Sequence, residues 1–379
     1  MEEQSLNNNM KYSNIKISGT SVCVSLFDKN RKEAHAIISC DPDCDTKSQI
    51  KNLTFAIQEL GVRLDMKPVF KRYLLSDATN QHDMLPKQES CAVSVIQQPP
   101  LNGSKAVCLV LYQADSSFSN IGNGTWADCS GRLWMGDNDS VTASDSETMT
   151  VDYLDRLSEI LTTAGGSLKE HCVRTWFFVR DVDNNYSGVV TGRNKVFANQ
   201  DLTEKTHFIA STGIAGHSPE PKRLVAFNAF ADLSLRNEQI KFLYGKTHLN
   251  PTYEYGVAFE RGVAVDYGDR RHIYISGTAS IDNKGKIVAP GDIVAQTNRM
   301  LENISVLLKE GDCSWDDVAH MIVYLRDISD YGVVKGIMND RFSDIPKAIV
   351  LAPVCRPGWL IETECIAIKQ IEHKEYEPF

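Results

Sequence analysis

The sequence predicts an α+β protein built from three tandem copies of one unit, and three observations carry that expectation. First, ILTTAGGSLKEHCVRTWFFVRDV (160–182) recurs as VLLKEGDCSWDDVAHMIVYLRDI (306–328), with Gly165 falling on Gly311, Phe178 on Tyr324, Arg180 on Arg326 and Asp181 on Asp327 at one constant offset. Second, YSGVVTGRNKVF from Tyr186 returns as YGVVKGIMNDRF from Tyr331, and a fainter third copy at Ala56–Ala78 places Gly61 and Asp77 under Gly165 and Asp181. Third, every copy reads in the same order: strands, a long helix with a glycine stop, an aromatic strand ending in Asp, a second helix, and closing strands.

The third copy is the clearest. Ala258–Val265 and His272–Ser280 read as strands joined by the turn DYGDRR, and Asp292–Leu308 places Ile293, Thr297, Met300, Leu301, Ile304, Leu307 and Leu308 at helical spacing. Met321–Arg326 reads as a strand, Tyr331–Phe342 as a helix, and Ala348–Ala352 and Leu360–Ile368 as strands. Helices on one face of a mixed sheet make the unit α+β. The copies divide the chain at 1–113, 114–236 and 237–379, with the polar stretches Asp115–Gly124 and Gly136–Glu147 expected as loops.

Composition narrows the function. A chain of 379 residues, 42% hydrophobic and 23% charged, is globular, and a net charge of -9 without a Lys/Arg block argues against a nucleic-acid partner. The same charge would repel a small anion unless arginines are focused locally. Ten cysteines show no CxxC pair and nine histidines no paired spacing, so neither a metal nor another cofactor is expected. MEEQSLNNNM has no signal-peptide pattern and no window is apolar enough for a membrane span, so a soluble, reducing, cytoplasmic setting is expected.

Chemistry concentrates in PVCRPGWLIETECIAIK (353–369). The alternation puts Glu362 and Glu364 on one face of a strand, with Cys355 and Arg356 just upstream. The matching stretches hold Leu224–Phe227 in the second copy and Ala106 and Val107 in the first, so one copy alone keeps an acid. The second copy instead has Arg193 where the third has Met338, and Arg180 after its aromatic strand. An arginine gained where the sister copy is apolar points to a pocket, whereas Arg180 and Arg326, which recur together, also suit a role in the fold. Trp359 and Met338 read as packing. From spacing alone, Glu362 suits a structural ion pair at least as well as catalysis, and Cys355 suits a buried hydrophobe.

These motifs resemble the Rid (reactive intermediate deaminase) superfamily, a small α+β fold that forms homotrimers with sites between subunits. Tyr255–Gly262 (YGVAFERG) resembles its tyrosine segment, Ile275–Thr278 (ISGT) its strand-end serine, and Ile361–Ala367 (IETECIA) its closing strand with the functional glutamate. Near the superfamily's carboxylate-binding arginine stands Lys347, which speaks against simple imine hydrolysis. Three fused copies resemble the chorismatases, through HLNPTYEYG (248–256), HFIASTGIAG (207–216), GRNKVF (192–197) and CRPGWLIE (355–362), firmly from Val151 to Ile368.

The resemblance implies three chorismate-mutase-like α+β units closed into a pseudotrimer within one chain, acting as a monomer without a cofactor on chorismate, a small dianion. It implies Glu362 as general acid and Cys355 as the residue that directs the product toward 3-hydroxybenzoate rather than a dihydroxycyclohexadiene carboxylate. Arg180, Arg193 and Arg356 would bind carboxylates, and Tyr255, Ser276, Thr212 and Gly213 would line the substrate. The alternatives are a Rid-type enamine or imine deaminase and a non-enzymatic ligand-binding protein.

Overall fold

The computed structural model describes residues 10–29, 32–137 and 143–379. The reading of MEEQSLNNNM falls almost wholly outside the described residues, as does part of the expected loop Gly136–Glu147. The first repeat runs β1 (Met10–Ile17), β2 (Thr20–Phe27), β3 (Glu33–Cys40), α1 (Thr46–Leu64), β4 (Lys67–Leu75), α2 (Ala78–Gln81), β5 (Ala92–Gln97) and β6 (Ala106–Gln113). The second comprises β7 (Ser119–Gly122), β8 (Thr125–Ala127), β9 (Arg132–Met135), α3 (Ser146–Thr163), α4 (Leu168–His171), β10 (Cys172–Val179), α5 (Val182–Asn199), β11 (Ala210–Ala215) and β12 (Val225–Asp232). The third comprises β13 (Ile240–Leu243), β14 (Gly262–Asp266), β15 (Arg270–Ala279), α6 (Ile293–Glu310), β16 (Val318–Leu325), α7 (Tyr331–Arg341), β17 (Lys347–Leu351) and β18 (Ile361–Gln370).

All three sheets have six strands in one order, β1-β2-β3-β6-β4-β5 in the first repeat, with the last pair parallel and the rest antiparallel. Local chemistry explains why the units match. The helix that follows the first three strands of each repeat starts at an aspartate whose carboxylate accepts a backbone N–H three residues on: Asp45 at 3.1 Å, Asp145 at 2.8 Å and Asp292 at 3.0 Å. Each then buries one apolar stripe on its own sheet, as α6 does with Met300, Leu301, Ile304, Leu307 and Leu308.

Three expectations about the elements are corrected. Asp115–Gly124 is not all loop, because β7 is an exposed edge strand, paired with β8, that lacks the apolar alternation by which strands are read. The second helix of the first repeat shrinks to the single turn α2, since Asp77–Ser90 offers no apolar stripe and contains Pro86. The strand expected from Ala258 also begins later, at Gly262.

The repeats close into a ring. The edge strand of each bridges the next: Gln97 pairs with His217, Ile214 with Val354 and Val350 with Pro100. Buried polar networks tie the sheets together. Glu364 of β18 accepts from Arg174 at 2.8 Å and Trp176 at 3.0 Å of the second repeat, while Arg72 of the first lies 3.5 Å away. Glu33 of the first repeat meets Arg270 at 3.1 Å and His272 at 2.9 Å of the third, and a ring nitrogen of His35 lies 2.8 Å from one of His320.

Burial would raise the Glu33 carboxyl, but His272 and His35 beside it hold it well below the usual range. A depressed folded-state value means that this contribution is present above the unfolded carboxylate range and is lost as pH falls below it. Glu33→Ala should cost about 3 kcal/mol or more in urea unfolding at neutral pH, because it strands buried cationic groups, and should flatten the acid limb of the stability profile. A variant with wild-type stability and an unchanged acid limb would show that the network holds no seam.

Candidate active site

The register of β18 singles out Glu362. It lies opposite Ala279 of β15 and Tyr324 of β16, whereas the corresponding positions are Val107 in β6, opposite Ser39 and Leu74, and Ala226 in β12, opposite Phe178. One seam of the ring therefore carries an acid at this height, and two do not. The local backbone is shaped around it: β15 is irregular between Ile275 and Thr278, and a Cβ on Gly277 would stand 2.1 Å from Oε1 of Glu362. Only glycine lets the carboxyl sit there.

Glu362 lines a cavity of about 30 Å³ between the second and third repeats. The second repeat contributes Tyr186 and Arg193 from α5 and Gly213 from β11; the third contributes Tyr255, Arg261, Cys355, Arg356 and Trp359. The turn that bears the last three is fixed by Gln296 of α6, which donates to Gly358 O at 3.1 Å and accepts from Leu360 N at 3.0 Å. Such a clamp limits how far the thiol and Trp359 wander from the acid.

Its electrostatics are unusual for an anionic protein. Arg193 is 1% exposed, and its Nε and Nη2 have no hydrogen-bond partner. It lies 5.9 Å from the Phe177 ring and 5.7 Å from that of Phe259, and α5 reaches this depth because Gly192 packs against Glu147 O of α3, where a Cβ would come within 2.6 Å. Buried, unpaired guanidinium nitrogens cost free energy and favour an anionic ligand that pairs them. Trp359 Nε1 is likewise buried without a partner. The Tyr255 ring lies between two cations, 5.5 Å from Arg261 and 4.6 Å from Arg356.

Burial, then the charge of Glu364, pushes the Glu362 carboxyl up to about 8, although Arg261 and Arg174 pull it back in part. It is therefore mostly protonated at neutral pH. Cys355 is half-buried, and burial and Glu362 push its thiol up to about 12, against a hydrogen bond with Tyr186. The site thus offers a neutral carboxylic acid, a neutral thiol and a cluster of cations. Such a set can bind an anion and give it a proton.

The cavity brings together six residues singled out in the sequence: Glu362, Cys355, Arg193, Arg356, Tyr255 and Gly213. It leaves out three. Arg180 does not reach it, because the side chain leaves the end of β10 and donates to Arg223 O at 3.1 Å, Ser218 O at 3.4 Å and Glu220 O at 3.2 Å, tying down the 217–223 loop. Ser276 is fully buried behind the cavity, donating to Glu260 O at 2.6 Å and accepting from Ser211 N at 2.9 Å. Thr212 accepts from Gly277 N at 2.9 Å and donates to Glu364, so both hydroxyls hold the seam together. Lys347 lies at a different seam, and its place by register here is taken by Ser211.

Tyr186, Arg261 and Trp359 were missed by sequence reasoning. Tyr186 is matched by Tyr331 in the sister copy and so looked structural; Trp359 read as packing; Arg261 had no contrast between copies to mark it.

Three fused six-stranded units around a ring are the architecture of a chorismatase: the crystal structure of a chorismatase superposes with a TM-score of 0.66, covering 79% of this chain and 92% of that one at 17% identity. A family profile described as Endoribonuclease L-PSP matches residues 259–369. A RutC family protein of Pyrococcus abyssi is 35% identical over 100 residues, covering 26% of this chain and 79% of that protein. The 2-iminobutanoate/2-iminopropanoate deaminase of Mus musculus is 30% identical over 113 residues, covering 29% of this chain and 81% of that protein. The chain belongs to the RutC family, also called Rid.

A thiol held protonated reacts slowly with electrophiles. Cys355 should be alkylated by iodoacetamide about a hundredfold or more slowly than the exposed Cys129 at neutral pH, read by peptide mass spectrometry. Labelling of Cys355 at the rate of Cys129 would show a thiolate instead.

Proposed function

We propose that the chain cleaves the enolpyruvyl ether of chorismate at the Glu362 cavity, releasing pyruvate and, by preference, 3-hydroxybenzoate. The observation that carries this reading is a buried carboxylic acid held neutral, at about 8, in a cavity whose other charged groups are arginines. Chorismate is a dianion and needs cations; its enol ether is inert until the methylene carbon takes a proton, and that needs an acid still protonated at neutral pH. Arg193 is the principal carboxylate ligand, with Arg261 and Arg356 beside it, each charge-assisted contact contributing about 1.5 to 3 kcal/mol.

Glu362 gives its proton to the methylene carbon, and the resulting oxocarbenium is trapped by water or by a ring hydroxyl. Loss of pyruvate from a chorismate that has taken up water leaves the dihydroxycyclohexadiene carboxylate; loss of the elements of water from the ring then gives 3-hydroxybenzoate. Cys355 enters as a neutral thiol within the same cavity and acts on ring aromatisation. Because the cavity holds about 30 Å³, room for a water or two, a ten-carbon substrate fits only when its lining, which includes Tyr255, Val257 and Phe259, moves apart.

Coupling chorismate turnover to lactate dehydrogenase measures pyruvate. Glu362→Gln should lose about 10² to 10⁴ in kcat while keeping substrate affinity. The wild-type rate should be level below pH 8 and fall above it, since the acid must be protonated and its carboxyl ionises near 8. Ordinary turnover by Glu362→Gln, or a rate that rises through pH 8, would remove the general acid. Cys355→Ala should shift the product toward the diene acid, and an unchanged profile would make the thiol a bystander.

The deaminase among the relatives favours a second reading, hydrolysis of a 2-imino acid with release of ammonia. Ammonia from an amino-acid-derived imine without pyruvate from chorismate would put it ahead; silence in both assays would leave a ligand-binding protein.

A further inference from the structure

The stretch that carries Cys355 is braced from outside the cavity by Arg326. Its two ends are fixed where β16 stops, with Ala352 N donating to Leu325 O at 2.8 Å and Arg326 N to Leu360 O at 3.0 Å. Between those ends the Arg326 side chain donates from Nη2 to Val354 O at 2.5 Å, one residue before the thiol. The same guanidinium crosses to the second repeat, where Nη1 and Nη2 meet the two carboxylate oxygens of Asp183 at 3.2 and 3.0 Å. A planar fork serves a carboxylate and a carbonyl together in one fixed geometry.

What Arg326 joins lies next to what the site joins. Asp183 stands in the first turn of α5, about one turn before Tyr186, and Val354 is the neighbour of Cys355. Tyr186 and the Cys355 thiol are themselves hydrogen-bonded across the seam. The arginine is therefore a second tie, parallel to the first, and it does not line the cavity. By register its equivalents are Arg180 and Ser76, whose backbone N–H groups bond Leu224 O and Lys105 O as that of Arg326 bonds Leu360 O. Arg180 keeps its side chain on its own 217–223 loop and Ser76 carries no charge, so the ion pair belongs to the seam with the acid. Because the Asp183 side chain is 48% exposed, the pair contributes little to folding, and its distinct effect is on geometry.

We propose that Arg326 is a positioning residue for Cys355. By holding Val354 O to Asp183 across the seam, it keeps the thiol on Tyr186 and sets the share of 3-hydroxybenzoate among the products, without touching the substrate. The inference rests on the role proposed for Cys355 in ring aromatisation. Proton transfer from Glu362 does not pass through it.

Arg326→Met keeps the apolar stem and removes every side-chain donor, and Asp183→Asn removes the charge on the far side of the seam. In both, iodoacetamide should alkylate Cys355 about fivefold or more faster than in the wild-type chain, the ratio that one lost hydrogen bond is worth. The exposed Cys129 and the buried Cys365 should keep their rates. With chorismate, pyruvate release should keep its fall above about pH 8 while the share of 3-hydroxybenzoate drops. Arg326→Lys should recover part of that share. Should Arg326→Met fail to fold, Asp183→Asn, at a half-exposed position, carries the test. The proposal is overturned if the folded variants label Cys355 at the wild-type rate, or if Cys365 speeds up in step with Cys355, which marks a general loosening. It is also overturned if their products are unchanged where Cys355→Ala shifts them. A wild-type chain that releases no pyruvate, or a Cys355→Ala chain with wild-type products, would instead fail the reading of the site, and the labelling rates would still decide whether Arg326 holds the thiol.

Discussion

The carboxylate of Glu364 is where the three repeats meet, and the neighbouring site depends on its partners being occupied. Arg174, Trp176 and Thr212 of the second repeat bond to it, with Arg72 of the first at 3.5 Å. Glu362 lies two residues away on the same face of the same strand, equally buried at 4% exposure. Arg174, which pulls on both carboxyls, is hydrogen-bonded to Glu364. The negative charge thus fixed beside it, together with burial, favours the protonated form of Glu362. One strand therefore holds a structural carboxylate and a candidate acid, told apart by what the other repeats present to each.

A fused ring lets its three seams diverge in a way that a homotrimer cannot, because one substitution changes one seam rather than all three. The seam of the second and third repeats has an acid, arginines and almost no free space. The seam of the third and first repeats has lysines, amides and room. Strand order and pairing are shared, but β15 is irregular between Ile275 and Thr278 beside Glu362 whereas β3 pairs with β6 without a break, so the seams differ in local backbone as well as in side chains. This is the sense in which fold leaves function open and site chemistry decides it.

Much of this was legible in the sequence, for definite reasons. Glycine stops and helix-capping aspartates punctuate each copy, so the repeats show through low identity, and Glu362 and Arg193 stand out because their sister positions are apolar. Arg180 misled because nothing local tells an arginine that ties down a loop from one that faces a ligand. Ser276 and Thr212 sit one side chain behind the cavity, a distinction that strand alternation cannot make once both faces are buried. Arg261 and Trp359 converge on the site only through the ring closure, which is a property of the whole chain and not of any window. The degenerate second helix of the first repeat was overread because the copies were expected to match throughout.

The central claim is that Glu362 carries a proton at neutral pH. A difference infrared spectrum between the wild-type chain and Glu362→Gln, recorded across pH, measures it directly. The account predicts a protonated carboxyl band at neutral pH that is absent from the variant and disappears as pH passes about 8. A difference spectrum showing an ionised carboxylate already at pH 6 would contradict it.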